Sequence, residues 1–213
     1  MFMLSRAIAC GFLFFAPCLY GQDNSLERPA SDFDSKGVAL TEALLKFSRQ
    51  QHLRIAIEYV DRESMDRPII VNLQNKTVRQ GLDIILSNGH GYSWRLRNGI
   101  VEIANSRGSE RANKQFNMVI PVFKLTDGET AKMASVTLWW NLQLKLDRKL
   151  KGYGGDILEG AETSTVKPAV LHNRTVREIL AYIVLNSRAD GWIVAGPSAV
   201  PWLHSVLWFV VPH

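Results

Sequence analysis

The chain has 213 residues, 46% hydrophobic and 21% charged, with a formal net charge of +5. That balance is globular, excludes a disordered or fibrous chain, and leaves room for one or two domains. So small a positive surplus is weak evidence for a polyanion partner.

Arg6 precedes an apolar run, Ala7–Leu19, broken by Pro17 and carrying small residues at Ala16, Cys18 and Gly21. This reads as a secretory signal peptide over residues 1–22, cleaved within Cys18–Gln22 and too short to span a membrane. Acylation at Cys18 fits poorly, because Pro17 directly before it departs from the lipoprotein pattern. Both cysteines, Cys10 and Cys18, lie in this segment. Its removal leaves no disulfide, thiol nucleophile or cysteine-based metal site.

A polar leader, Asp23–Ser31, precedes a short strand at Asp32–Asp34. Leu40–Gln51 is predicted helical, with Leu40, Ala43, Leu44 and Phe47 on one face. Arg54–Val60 alternates as a strand, and Pro68–Leu73 is a second strand entered through proline. A helix follows Thr77, then the strand Tyr92–Arg97, a two-residue turn at Asn98-Gly99 and a return over Ile100–Ala104. Ser106–Gln115 is polar and without periodicity, which suggests a linker. Asn117–Leu125 is expected as a strand interrupted by Pro121, Glu129–Trp140 as a helix and Leu142–Asp147 as an alternating strand. A Gly-rich, acidic insertion covers about Lys149–Thr165. A second helix then follows Thr175, with strands at Gly191–Ala195 and His204–Val211 around the loop Gly196–Trp202.

One stretch occurs twice. Asn75–Trp94 matches Asn173–Trp192 without a gap, with eight identical positions: Asn75/Asn173, Thr77/Thr175, Val78/Val176, Arg79/Arg177, Leu82/Leu180, Ile85/Ile183, Asn88/Asn186 and Trp94/Trp192. A fixed-offset match implies two copies of one small unit. Thr77-x-x-Gln80 and Thr175-x-x-Glu178 are capping boxes ahead of apolar residues at helical spacing. Asn88-Gly89 supplies a stop, glycine accepting the left-handed closing conformation. The expected fold class is α+β: two tandem small α/β units, βαββαβ-like, each with two helices packed on small sheets. The organisation is 1–22 signal peptide, 32–105 first copy, 106–117 linker and 118–213 divergent second copy.

Motifs for chemistry are sparse. His52, His90, His172, His204 and His213 show no helical metal-site spacing. No nucleophile elbow, Ser-x-x-Lys or His-Glu-x-x-His occurs, and serines 135, 164, 198 and 205 sit in ordinary contexts. Gly152-Tyr153-Gly154-Gly155 lacks the lysine of a phosphate loop. Asn75-Lys76-Thr77 and Asn173-Arg174-Thr175 fit the glycosylation sequon, but capping explains both threonines. No catalytic, cofactor-binding or metal-binding residue is assigned.

The tryptophans concentrate in the second half, at 139, 140, 192, 202 and 208, against Trp94 alone in the first. Trp94 and Trp192, at the repeated position, are expected to fill core. Trp139 and Trp140 cannot share one helical face, so an exposed indole there would serve as a binding anchor.

Asp32-Phe33-Asp34, Val38-x-Leu40-x-x-Ala43-Leu44, Ile55-x-Ile57, Thr77-Val78-x-x-x-Leu82-x-x-x-Leu86, Tyr92-x-Trp94 and Ile100–Ile103 together resemble the secretin and TonB N-terminus domain. The resemblance covers Asp32–Asn105 well, and the second copy only over Val170–Val194. It implies a periplasmic protein-binding module without catalytic residues. Its partners would be an anti-sigma regulator, a TonB-dependent receptor or a secretion component. Strand addition at an open sheet edge is the expected mode, with Trp139, Trp140, Trp202 and Tyr153 as candidate contacts. A ligand or glycan binder using the Trp-rich half is the alternative, and a hydrolase a further one.

Overall fold

The computed structural model describes residues 24–60, 67–89, 91–105, 109–145, 164–195 and 206–210. The expected signal peptide, most of the Gly-rich insertion with Tyr153, and the loop carrying Trp202 lie outside them, as do His90, His204 and His213.

The chain is α+β, and the first half has the expected order of elements. Strand β1 (Phe33–Asp34) leads to helix α1 (Leu40–Gln50), β2 (Arg54–Val60), β3 (Asn72–Leu73), α2 (Val78–Ser87), β4 (Tyr92–Arg97) and β5 (Ile100–Asn105). β3 is shorter than the predicted Pro68–Leu73. Pro68 has no amide to donate, and the Ser35 hydroxyl stands in for the ladder, donating to Ile69 O and accepting from Val71 N. The hairpin between β4 and β5 turns through Asn98 and Gly99, both at positive φ.

The connector is not structureless: Ser109–Phe116 forms helix α3. Its composition is polar, but Phe116 is buried at its end and Asn113 is tied into the interior. Tertiary contacts thus supply what periodicity does not. The second half continues through β6 (Val119–Leu125), α4 (Ala131–Lys145), β7 (Ala169–Thr175), α5 (Val176–Leu185), β8 (Gly191–Ala195) and β9 (Val206–Val210). The strand predicted at Leu142–Asp147 is a correction, because α4 runs on to Lys145. Leu138 and Leu142 lie one turn apart on its buried face, and that packing outweighs six residues of alternation.

The repeated helices α2 and α5 start alike. Gln80 N donates to Thr77 Oγ1 at 3.2 Å, and Thr77 N to Gln80 Oε1 at 3.1 Å. Glu178 N donates to Thr175 Oγ1 at 3.2 Å, and Thr175 N to Glu178 Oε2 at 2.8 Å. They also end alike, each closing asparagine donating its amide to the carbonyl four residues back, Ile84 or Tyr182, at 2.9 Å. The expected left-handed glycine stop does not occur. Gly89 is instead small because a Cβ there would collide with Leu40.

Two antiparallel ribbons, β1–β3 and β6–β7, precede the capped helices, with Phe33 opposite Leu73 in one and Phe123 opposite Leu171 in the other. The remaining strands do not divide into one small sheet per half. They form a single five-stranded sheet in the order β4-β5-β2-β8-β9, parallel except at β4. Ile55, Ile57, Val101, Ile103 and Ile193 face α1 and α2 across one side. Ala56, Ile100 and Trp192 face α4 and α5 across the other. Two cores therefore share one sheet. Among the described residues, no helix is long and apolar enough to cross a membrane.

Candidate interaction surface

Helix α4, AKMASVTLWWNLQLK, is apolar nearly all the way round. Such a helix is ordinarily enclosed on every side. One side is: Ala131, Ala134, Leu138, Trp139 and Leu142 pack into the core with α5. The opposite side carries Met133, Trp140 and Leu144, which are 60%, 42% and 73% exposed. Thr137, between them, is exposed as well.

These four residues fall at i, i+4, i+7 and i+11, so they form one straight stripe along the helix. Burying it against a partner at about 25 cal/mol per Å² is the favourable term that solvent exposure leaves unused. Trp140 meets Trp139 edge to face, with ring centroids 5.3 Å apart and planes at 82°. The buried ring thereby braces the exposed one. At the end of the helix, Lys145 Nζ donates to Val119 O, which fastens α4 to the start of the β6–β7 ribbon. Val122 and Val170 are also exposed on that ribbon.

Of the four predicted contacts, the structure places Trp139 in the core and Trp140 on the surface. Tyr153 and Trp202 lie outside the described residues. Trp192 is fully buried, as expected. Trp94 is only partly buried, with its indole N–H 2.7 Å from Asp83 Oδ1 and the Arg79 guanidinium 5.1 Å over its ring. Sequence reading missed Met133 and Leu144. Their three-and-four spacing from Trp140 was the available signal.

The polar groups elsewhere are held in structural pairs. Ser135 Oγ donates to Lys132 O, and Ser164 Oγ accepts from Arg188 N. His52 and His172 are exposed. Among the described residues, no three of His, Cys, Asp or Glu gather in an arrangement suited to a metal ion.

A buried charge cluster lies at the join of the halves. Arg177 Nε and Nη2 donate to Glu58 Oε1 and Oε2 at 2.7 and 2.8 Å. Nη2 also reaches Asn113 Oδ1 at 3.0 Å, and Nη1 donates to Asn117 Oδ1. Glu102 lies 3.9 Å from Arg177, and it is bound from the other side by Arg95 at 2.7 Å. Burial opposes the charge on Arg177, but Glu58 and Glu102 outweigh it and hold the guanidinium pKa above its ordinary value. With its carboxylates and amides already engaged, this cluster joins elements and presents no open site.

No protein-family model matches the chain, and no curated protein matches it.

Proposed function

We propose that this protein is an exported, periplasmic interaction module of the secretin and TonB N-terminus type, acting in envelope signalling, transport or secretion without catalysis of its own. The observation that carries the reading is the apolar stripe of α4, left in solvent on a helix whose other face is core. An exposed indole backed by a buried one is the composition of a binding anchor. The resemblance over Asp32–Asn105 supplies the compartment and the class of partner.

Strand addition at the β4 edge is the less favoured mode. Edge strand β4 carries Arg95 and Arg97 on its exposed positions, and such charges guard an edge against pairing. The α4 stripe bears no such guard. Trp139 and Trp140 stand nearly perpendicular with one ring buried, which also disfavours the flat double platform of a glycan site.

Photo-crosslinking in the cell envelope tests this, with the crosslinker in place of Trp140 and, as a control, of Lys46 on α1. A discrete protein adduct at position 140 and none at 46 is expected. Identical patterns at both positions would count against an interaction surface on α4.

A further inference from the structure

We infer that the outer edge of β7 takes an extended segment of a partner protein as a third strand of the β6–β7 ribbon, and that this segment is apolar at alternate positions and acidic at its C-terminal end. The inference rests on the interaction-module reading, to which it adds a second surface that stands without the α4 stripe.

Backbone direction comes first. At one end of the ribbon Met118 O accepts from Val176 N, and at the other Lys167 N donates away from β6, to Asn186 O. Bonding alternates along an antiparallel ladder, so Val170 and His172 turn their backbone groups toward β6, while Ala169 and Leu171 turn theirs outward. Among the described residues, nothing bonds to those outward groups. Other edges are guarded. β4 has Arg95 and Arg97, Pro121 leaves β6 without an amide at its middle, and Lys145 occupies Val119 O. In the first copy, the side chains of Gln51 and Gln50 hold Ser31 N and Asp32 O. β7 has no such device over Ala169–His172, and an unguarded edge is a template for another strand.

The helix alongside comes second. α5 runs back along the outer side of β7, where Thr175 N donates to Glu178 Oε2 at one end and Tyr182 Oη donates to Lys167 O at the other. Leu185 falls on the same side of α5 as Glu178 and Tyr182, and it is 45% exposed. A strand laid beside β7 would cover Tyr182 and Leu185 with one set of alternate side chains, which are therefore apolar. Its other set would stand beside Val170, 53% exposed, and His172.

Charge comes third. β6 and β7 contain no acidic residue, and Glu178 is engaged by Thr175 and Arg174. Lys167, just before β7, is exposed and makes no ion pair among the described residues. In antiparallel addition the C-terminal end of the partner segment lies beside it, so an acidic residue there is attracted. A second copy of β7 fits less well, because antiparallel self-pairing centred on Leu171 brings each Lys167 near an Arg174.

The test uses the full chain, isotope-labelled, with amide hydrogen exchange read by NMR. In the free protein the amides of Val170 and His172 should be protected and those of Ala169 and Leu171 open. The probe is a short peptide of alternating valine and threonine that closes on two glutamates. One twin closes on two lysines, and another is N-methylated at every valine and threonine. The glutamate peptide should slow exchange at Ala169 and Leu171 by about tenfold or more. It should bind at least about threefold more tightly than the lysine twin, and the N-methylated twin should not bind. Val170→Lys places a charge at an exposed position of the edge, and should weaken binding by about tenfold or more without moving the thermal midpoint.

A protected Leu171 amide in the free protein overturns the inference, because the edge would then be paired already. So does binding of no peptide, equal binding of either twin, or indifference to Val170→Lys. A dimer that Val170→Lys dissolves would also overturn it, by assigning the edge to a second copy. A discrete adduct at position 140 alongside an unresponsive β7 would remove only the added strand. Failure of both would remove the interaction module as well.

Discussion

Arg177 on α5 and Glu58 on β2 form a bidentate pair with both side chains almost wholly buried, 119 residues apart in sequence. The equivalent position of the first copy, Arg79, is exposed, pairs with Glu27 and lies over Trp94. One repeated residue thus has two fates. In the second copy it faces the shared sheet, and in the first it faces water.

Removing one partner of the buried pair strands the other charge. Arg177→Met or Glu58→Leu alone is expected to cost about 3–5 kcal/mol in urea unfolding, whereas the double variant recovers most of that loss. Additive losses would show that the two side chains do not act as a pair.

Gly191 begins β8 where that strand meets β2. A Cβ there would run into the carbonyl oxygen of Ile55, which is backbone and cannot swing aside. Gly191→Ala should therefore force the two halves of the sheet apart, at a cost of about 1–3 kcal/mol or more. Its thermal midpoint is the measurement. A midpoint equal to that of the parent chain would mean that β8 does not join β2 as described.

The two capping boxes differ in one respect that pH can read. The backbone amide of Thr175 holds the Glu178 carboxyl below the usual carboxylate range, helped by the Thr175 hydroxyl and Arg174. A depressed folded pKa gives stability that is present above the unfolded value and lost as pH falls through the folded one. Gln80 fills the same position in the first copy and does not titrate in this range. Glu178→Gln should keep the cap and flatten part of the loss of stability below about pH 5. Thr175→Ala should cost about 1 kcal/mol near neutral pH, and less in acid, where the hydroxyl's bond to the Glu178 carboxylate is already lost. An unchanged acid limb in Glu178→Gln would remove the linkage.

Much of this fold is legible in local pattern, because capping boxes, the Asn98-Gly99 turn and the β2 alternation are decided within a few residues. What local pattern misses depends on distant partners. Helix α3 depends on Phe116 and on Asn113 bonding to Arg177, and neither tie shows in a polar ten-residue stretch. The extension of α4 through Leu142 depends on the core beneath it. Joining of the halves into one sheet depends on the close approach at Gly191. Of the candidate surface, Trp140 was visible as an indole that could not share a face with Trp139. Leu144 became meaningful only once the helix was known to continue, whereas Met133 already stood two turns before Trp140 within the expected helix.

Asn75 and Asn173 recur at the repeated position for a backbone reason. Both adopt positive φ, 53° and 49°, as the chain turns into the capping threonine. Asparagine tolerates the left-handed region, and a β-branched residue does not. Asn75→Val and Asn173→Val are each expected to cost roughly 1–2 kcal/mol in chemical denaturation. The corresponding glycine variants should remain near the parent, since glycine enters that region freely. Equal losses for valine and glycine would point instead to the lost amide. The paired sequons would then reflect side-chain bonding and not backbone shape.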